Sequence, residues 1–205
     1  MWQFEHKAKT LGYHIIAGVD EAGRGPLAGP VVSAAVILPD IGLLSDALAG
    51  INDSKKLSEK KRDALFPLIK EQAIAVSTGI AFHGEIDQIN ILQASLLSMQ
   101  RAVETLSIAP DFLLIDGKFT IDSSIDQSAI VKGDSKSISI AAASIIAKVT
   151  RDAIMTQFHE QYPEYDFIRH KGYPTKAHKQ AILKYGPCPI HRMTFKGVKE
   201  VANDR

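Results

Sequence analysis

The stretch IIAGVDEAGRGPLAGPVVSAAVILP, residues 15–39, decides the reading of this chain. Two segments overlap it, YHIIAGVD (13–20) and GPVVSAAVILP (29–39), both rich in β-branched and small apolar residues. A glycine-rich turn separates them, and the pattern predicts an antiparallel pair of strands. The first strand runs straight into two carboxylates, Asp20 and Glu21, and then into Gly23-Arg24-Gly25. Two acids at the end of an apolar strand need a physical reason.

Further along, SEKKRDALFPLIKEQ (58–72) predicts a short helix, with Ser58 as N-cap, Lys and Arg on one face, and Leu65, Leu68 and Ile69 on the other. IAVSTGIAF (74–82) is a third strand, and residues 84–106 place Ile89, Leu92, Leu96, Met99 and Val103 at helical spacing. DFLLID (111–116) and SAIVKGD (128–134) predict two more strands. Residues 137–162 then form a helix with Ile138, Ala142, Ile145, Val149 and Ala153 on one stripe. The order β-β-α-β-α-β-β-α implies an α/β fold, a mixed sheet flanked by helices.

A chain of 205 residues with 45% hydrophobic content can bury one ordinary core, and it shows no repeats, low-complexity runs or linkers, so a single domain is expected. MWQFEHKAKTLGYH at the N-terminus lacks the apolar core of a signal peptide, and the apolar stretches are strand-sized or interrupted by charge. The chain therefore reads as soluble and cytoplasmic, with no membrane partner. Its single cysteine, Cys188, cannot form an internal disulfide and sits in GPCPI with no base beside it in sequence, which reads as an inert loop thiol. Net charge is +1, but residues 1–131 carry 11 Lys+Arg against 16 Asp+Glu and residues 132–205 carry 13 against 7. The basic end suits either a solvated helical face or a phosphate-rich partner approached through metal ions.

Asp20, Asp116 and Asp134 each close an apolar segment read as a strand. Ligands bind at the carboxyl ends of strands in α/β sheets, and carboxylates gathered there repel one another unless protons or cations neutralise them. Hard oxygen donors point to Mg²⁺ or Mn²⁺, and no His or Cys spacing suggests zinc. Taken singly, each Asp also fits a helix cap or a turn.

VDEAGRGPLAGPV, INDSKKLS (51–58), LLIDG, VKGDSKS followed by IAAASIIAKVTRD, and HKGYPT (170–175) occur in one order over roughly residues 13–195. Together they resemble the bacterial type 2 ribonucleases H. The resemblance implies a ribonuclease H-like fold, with a five-stranded mixed β-sheet, helices on both faces and a C-terminal helical segment. It divides the single domain into a core over about 13–160 and a substrate-binding segment over about 161–205. The family's four active-site carboxylates fall on Asp20, Glu21, Asp116 and Asp134, with Asp20 and Asp116 as central ligands of two Mn²⁺ or Mg²⁺ ions.

The same resemblance implies that Gly23, Arg24 and Gly25 meet a ribonucleotide through backbone groups and that Tyr173 lies against the sugar that follows and contacts the 2′-hydroxyl. Lys55, Lys56, His170 and Lys171 are expected to contact phosphates, with solvated lysines as the alternative. Asp152 is set aside as a partner of Lys148 or a local cap. The implied substrates are RNA–DNA hybrids and duplex DNA carrying embedded ribonucleotides, cut on the 5′ side to leave 3′-hydroxyl and 5′-phosphate ends. A monomer is expected, and TFKGVKEVANDR shows no clamp-binding motif with paired aromatics. Resolvases, transposases and type 1 ribonucleases H also cluster carboxylates on such a sheet, and Gly23-Arg24-Gly25 with Tyr173 discriminates against them. A non-catalytic binding module would have lost at least one carboxylate position, and all four are filled.

Overall fold

The computed structural model describes residues 1–40, 43–49, 51 and 57–203. Strand β1 (Ile16–Ala22) pairs antiparallel with β2 (Val31–Ile37), as the opening stretch predicts, with Asp20 opposite Ala34. Strand β3 (Ala75–Ala81) extends the sheet antiparallel beyond β2. On the other side β4 (Phe112–Asp116) and β5 (Asp126–Ile130) run parallel to β1, which gives the order β3-β2-β1-β4-β5. This is the expected five-stranded mixed sheet.

Helices cover both faces. Every residue of β2 is buried, because side chains alternate between two cores. Ala34 and Val36 point towards α3 (Glu59–Gln72) and α5 (Ile138–Gln161), whereas Ala35 and Ile37 point towards α4 (His83–Glu104). Ser58 caps α3 by accepting from the Lys61 amide at 3.3 Å, and Leu65 and Ile69 are buried as the pattern predicts. Helix α5 lies directly on β1. A Cβ at Gly18 would stand 2.1 Å from the carbonyl carbon of Ser139, so only glycine permits the contact.

The two long helices and the N-terminus depart from the sequence reading. Asn90 breaks α4 with φ 67 and ψ 166, and its Oδ1 accepts from the amides of Leu92 and Gln93. The break turns Ile89 outwards; Met99 and Val103 of the predicted stripe are buried with Leu96 packed against them, and Ala94, Ser98 and Ala102 join them on the core side. Helix α5 keeps its stripe only in its first half. Val149 is half-buried and Ala153 is exposed, while Arg151 and Met155 are buried, because the second half packs on the C-terminal segment instead of the sheet. The N-terminal residues, read only as lacking a leader, form α1 (Gln3–Thr10). The Glu5 carboxylate ties it to α5 by accepting from the Ser139 amide and the hydroxyls of Ser137 and Ser139.

A short α2 (Asp46–Ala49) lies between β2 and α3. Beyond α5, a 3-10 turn (Pro163–Tyr165), α6 (Phe167–His170), α7 (Lys176–Tyr185) and α8 (Lys199–Asn203) complete the C-terminal segment. They enclose Tyr165, Phe167, Ile182, Cys188 and Val198 together with Leu27, Ala28 and Met155 from the sheet side. Among the described residues no helix is long and apolar enough to cross a membrane.

Candidate active site

Parallel pairing of β1 with β4 puts Val19 in register with Ile115, so Asp20 and Asp116 stand at one level on neighbouring strands. β1 does not end at Asp20 as its sequence suggests but continues to Ala22, because Glu21 and Ala22 still pair with β2. One oxygen each from Asp20, Glu21 and Asp116 lies within 4.8 Å of the other two. Asp20 is buried, and its Oδ1 accepts from the Glu21 amide at 2.7 Å. Asp116 Oδ1 accepts from the Gly133 amide at 2.6 Å, which fastens the following turn to the end of β4.

That turn corrects the reading of Asp134. β5 stops at Ile130, and Lys132 reverses the chain in the left-handed region at φ 58 and ψ 44. Asp134 then sits on a 3-10 turn, Gly133–Ser135, instead of a strand end, and is buried. It does not belong to the three-oxygen group. The donor set of Asp20, Glu21 and Asp116 consists of carboxylate oxygens alone, which repel one another and suit a hard divalent cation.

A groove of about 550 Å³ opens beside Glu21. Gly23, Arg24 and Gly25 form one wall and Tyr173 the other, with Ser144 and Lys148 of α5 and Arg62 of α3 completing the lining. Gly23 is glycine for internal reasons, since its φ is +102 and a Cβ would stand 2.1 Å from Arg151 Nε. Gly25 differs. A Cβ there would meet Tyr173 Cε1 at 3.5 Å, an ordinary contact, so the protein itself tolerates a side chain that would narrow the groove. Tyr173 is 41% exposed, with Lys148 Nζ 5.9 Å from its ring centroid. Lys148 also pairs with Asp152 at 2.7 Å, the local contact expected of Asp152. Arg24, half-exposed, reaches Glu21 Oε1 at 3.4 Å, a weak pair at the solvent edge.

Two buried arginines hold the glycine loop from beneath. Arg192 donates to the carbonyls of Gly23 at 2.6 Å, Arg24 at 3.0 Å, Pro26 at 2.8 Å, Gly29 at 3.0 Å and Pro30 at 3.2 Å. Arg151 donates to Pro30, Ala28 and Lys171. Burial lowers Arg192 to about 9 and Arg151 to about 10, so both remain charged at neutral pH. Neither is legible in the sequence as a site residue, because an isolated Arg reads as surface. Lys148, Ser144 and Arg62 escape the sequence reading for the same want of a signal, although Lys148, Ser144 and Arg151 lie inside the block IAAASIIAKVTRD.

His170 is turned inward, against the expectation that it meets phosphate. It is buried, its Nε2 donates to the Tyr165 carbonyl at 2.7 Å and its Nδ1 accepts from the Gly172 amide at 3.2 Å, which leaves no ring nitrogen for a phosphate. Lys171 is half-buried in the left-handed region at φ 48, and its Nζ donates to Thr156 Oγ1 at 3.3 Å. Lys55 and Lys56 lie outside the described residues. Cys188 does have a base beside it in space, His191 Nδ1 at 3.1 Å from Sγ. Burial raises the thiol to about 11 and lowers His191 to about 3, so the pair is neutral and the thiol inert.

The family model described as Ribonuclease HII matches residues 17–198. A relative named Ribonuclease HII from Geobacter metallireducens is 57% identical over 200 residues, covering 98% of this chain and 92% of its own length. Among solved structures, ribonuclease H2 from Pyrococcus horikoshii OT3 superposes with a TM-score of 0.77 at 28% identity, covering 93% of this chain and 98% of that one. The ribonuclease HII of Archaeoglobus fulgidus, solved as a complex with PCNA, gives 0.74 at 25% identity over 89% and 96%.

Proposed function

The chain belongs to the ribonuclease HII family of metal-dependent endoribonucleases, and from that premise we propose that it hydrolyses the RNA strand of RNA–DNA hybrids and cuts 5′ to ribonucleotides embedded in duplex DNA. One observation carries the reading. The three-carboxylate cluster adjoins, through Glu21, a groove lined by Gly25 and Tyr173, where a missing side chain leaves room that the protein does not itself require.

Asp20 and Asp116 are the central ligands in this reading, and Glu21 and Asp134 complete the shells. These carboxylates would hold two Mn²⁺ or Mg²⁺ ions, which would supply positive charge for hydrolysis of the phosphodiester to 3′-hydroxyl and 5′-phosphate ends. The protein's own groups place the substrate. Arg192 and Arg151 draw loop carbonyls inward, which leaves the amide side of Gly23-Arg24-Gly25 to meet the ribose. The Tyr173 ring packs on the sugar and its hydroxyl meets the 2′-hydroxyl, the group that separates RNA from DNA. Lys148, Arg24, Arg62 and Lys171 face the phosphates, and Lys55 and Lys56 join them from outside the described residues.

The enzyme acts as a cytoplasmic monomer, with residues 161–205 as the substrate-binding segment of a single domain. Incubation of a labelled RNA–DNA hybrid with wild type and Asp20→Asn, with and without Mn²⁺, tests the assignment. Cleavage by wild type only when metal is present, and none by the variant, is the expected result. Metal-independent cleavage, or an active variant, overturns it.

A further inference from the structure

Three buried histidines lie behind the two walls of the groove, and hydrogen bonding fixes the proton on each. The Nδ1 of His178 stands 2.9 Å from the Tyr173 carbonyl, which can only accept, so Nδ1 carries the hydrogen. The Nε2 of a neutral His178 is then an acceptor, and His191 Nε2, 3.0 Å away, must be its donor. This leaves His191 Nδ1 to accept from the Cys188 amide at 2.9 Å. Every hydrogen bond runs one way, from the Cys188 amide through two rings to the Tyr173 carbonyl. His170 stacks on His178 with centroids 4.4 Å apart.

Each ring of the pair is tied to the backbone of one side of the groove. Tyr173 receives its hydrogen bond from His178, while His191 bridges Ala28 in the glycine loop and precedes Arg192, which grips the same loop. We propose that the His178–His191 pair is a strut of fixed tautomers that sets the spacing between Gly25 and Tyr173 and so positions Tyr173 for ribonucleotide recognition. The proposal rests on the role given to Tyr173 above. His178 and His191 are positioning residues, since neither lines the groove. Burial depresses both, His178 to about 4 and His191 to about 3, which keeps the rings in the neutral forms the strut needs.

Cleavage of duplex DNA carrying one ribonucleotide, in a double-mutant cycle with Tyr173→Ala, provides the test, together with ¹⁵N spectra of the histidine rings. Asn at 178 can still donate to the Tyr173 carbonyl, and Leu cannot. His178→Leu is expected to lower kcat/KM about tenfold and His178→Asn about threefold or less, whereas His178→Leu added to Tyr173→Ala costs under about twofold more. The spectra should show His178 protonated at Nδ1 and His191 at Nε2. Melting should still rise with Mn²⁺ in every variant.

A full tenfold loss from His178→Leu in the Tyr173→Ala background, or Asn as damaging as Leu, would make the pair merely structural and overturn the proposal. The opposite tautomers, or charged rings, would also overturn it. Should Tyr173→Ala cut at the wild-type rate, the role of Tyr173 falls first and the strut with it. If His178→Leu does not fold, His191→Gln, which keeps the donor to His178, and His191→Leu carry the same comparison.

Discussion

Tyr173 separates recognition from chemistry. Tyr173→Phe keeps the ring in the groove and loses one hydrogen bond, about 0.5–1.5 kcal/mol, so single-ribonucleotide cleavage should slow a few-fold to tenfold. Tyr173→Ala loses the stacking as well and should be much slower, with the Mn²⁺-induced rise in melting temperature unchanged. Wild-type rates in both variants would reduce Tyr173 to packing. Asp20, Glu21 and Asp116 are legible in the sequence because they directly follow apolar runs that form strands, although β1 continues past Asp20 to Ala22. Their convergence needs only the parallel pairing of the first and fourth strands. Asp134 falls on a different element from the one its sequence suggests, because its position depends on the left-handed Lys132, a conformation that sequence pattern does not announce for lysine. His170 misleads because a histidine among basic residues gives no sign that backbone partners will claim both its nitrogens.

The glycine loop is rigid because one guanidinium satisfies five of its carbonyls. Lysine has three donors and no planar fork, so Arg192→Lys should leave buried carbonyls unpaired and destabilise the protein by about 2–4 kcal/mol in urea unfolding. An unchanged urea midpoint would show that the clasp adds nothing. The histidine layer gives this element a pH signature. His170, His178 and His191 all lie below their ordinary value of 6.5 through burial, so below that pH the unfolded chain binds protons that the folded chain refuses. Stability is full above about 6.5 and falls as the pH drops towards 4, by about 1.4 kcal/mol per pH unit for each fully resisting ring. Urea midpoints at pH 7.5 and 5 measure this, and equal midpoints would contradict the burial of neutral rings. At this scale the sequence is a partial guide. The first half of α5 obeys its periodicity on the sheet, but the second half obeys a partner, the C-terminal segment, that periodicity cannot name.

Across the whole molecule, acidic residues gather at the sheet end and positive charge accumulates over residues 132–205, a division visible in the sequence itself. Substrate binding should weaken steeply between roughly 50 and 200 mM salt, and Lys171→Glu should weaken DNA and hybrid duplexes alike. Salt-independent affinities would contradict phosphate contact by the basic segment. If the carboxylate cluster works with a groove that selects a ribonucleotide, the cut in duplex DNA containing one ribonucleotide, mapped beside an all-DNA duplex with and without Mn²⁺, will report both at once. A single metal-dependent cut on the 5′ side of the ribonucleotide, ending in a 3′-hydroxyl, and an intact all-DNA duplex are expected. A cut elsewhere, cleavage of the all-DNA duplex, or an untouched ribonucleotide in the presence of metal would contradict that expectation.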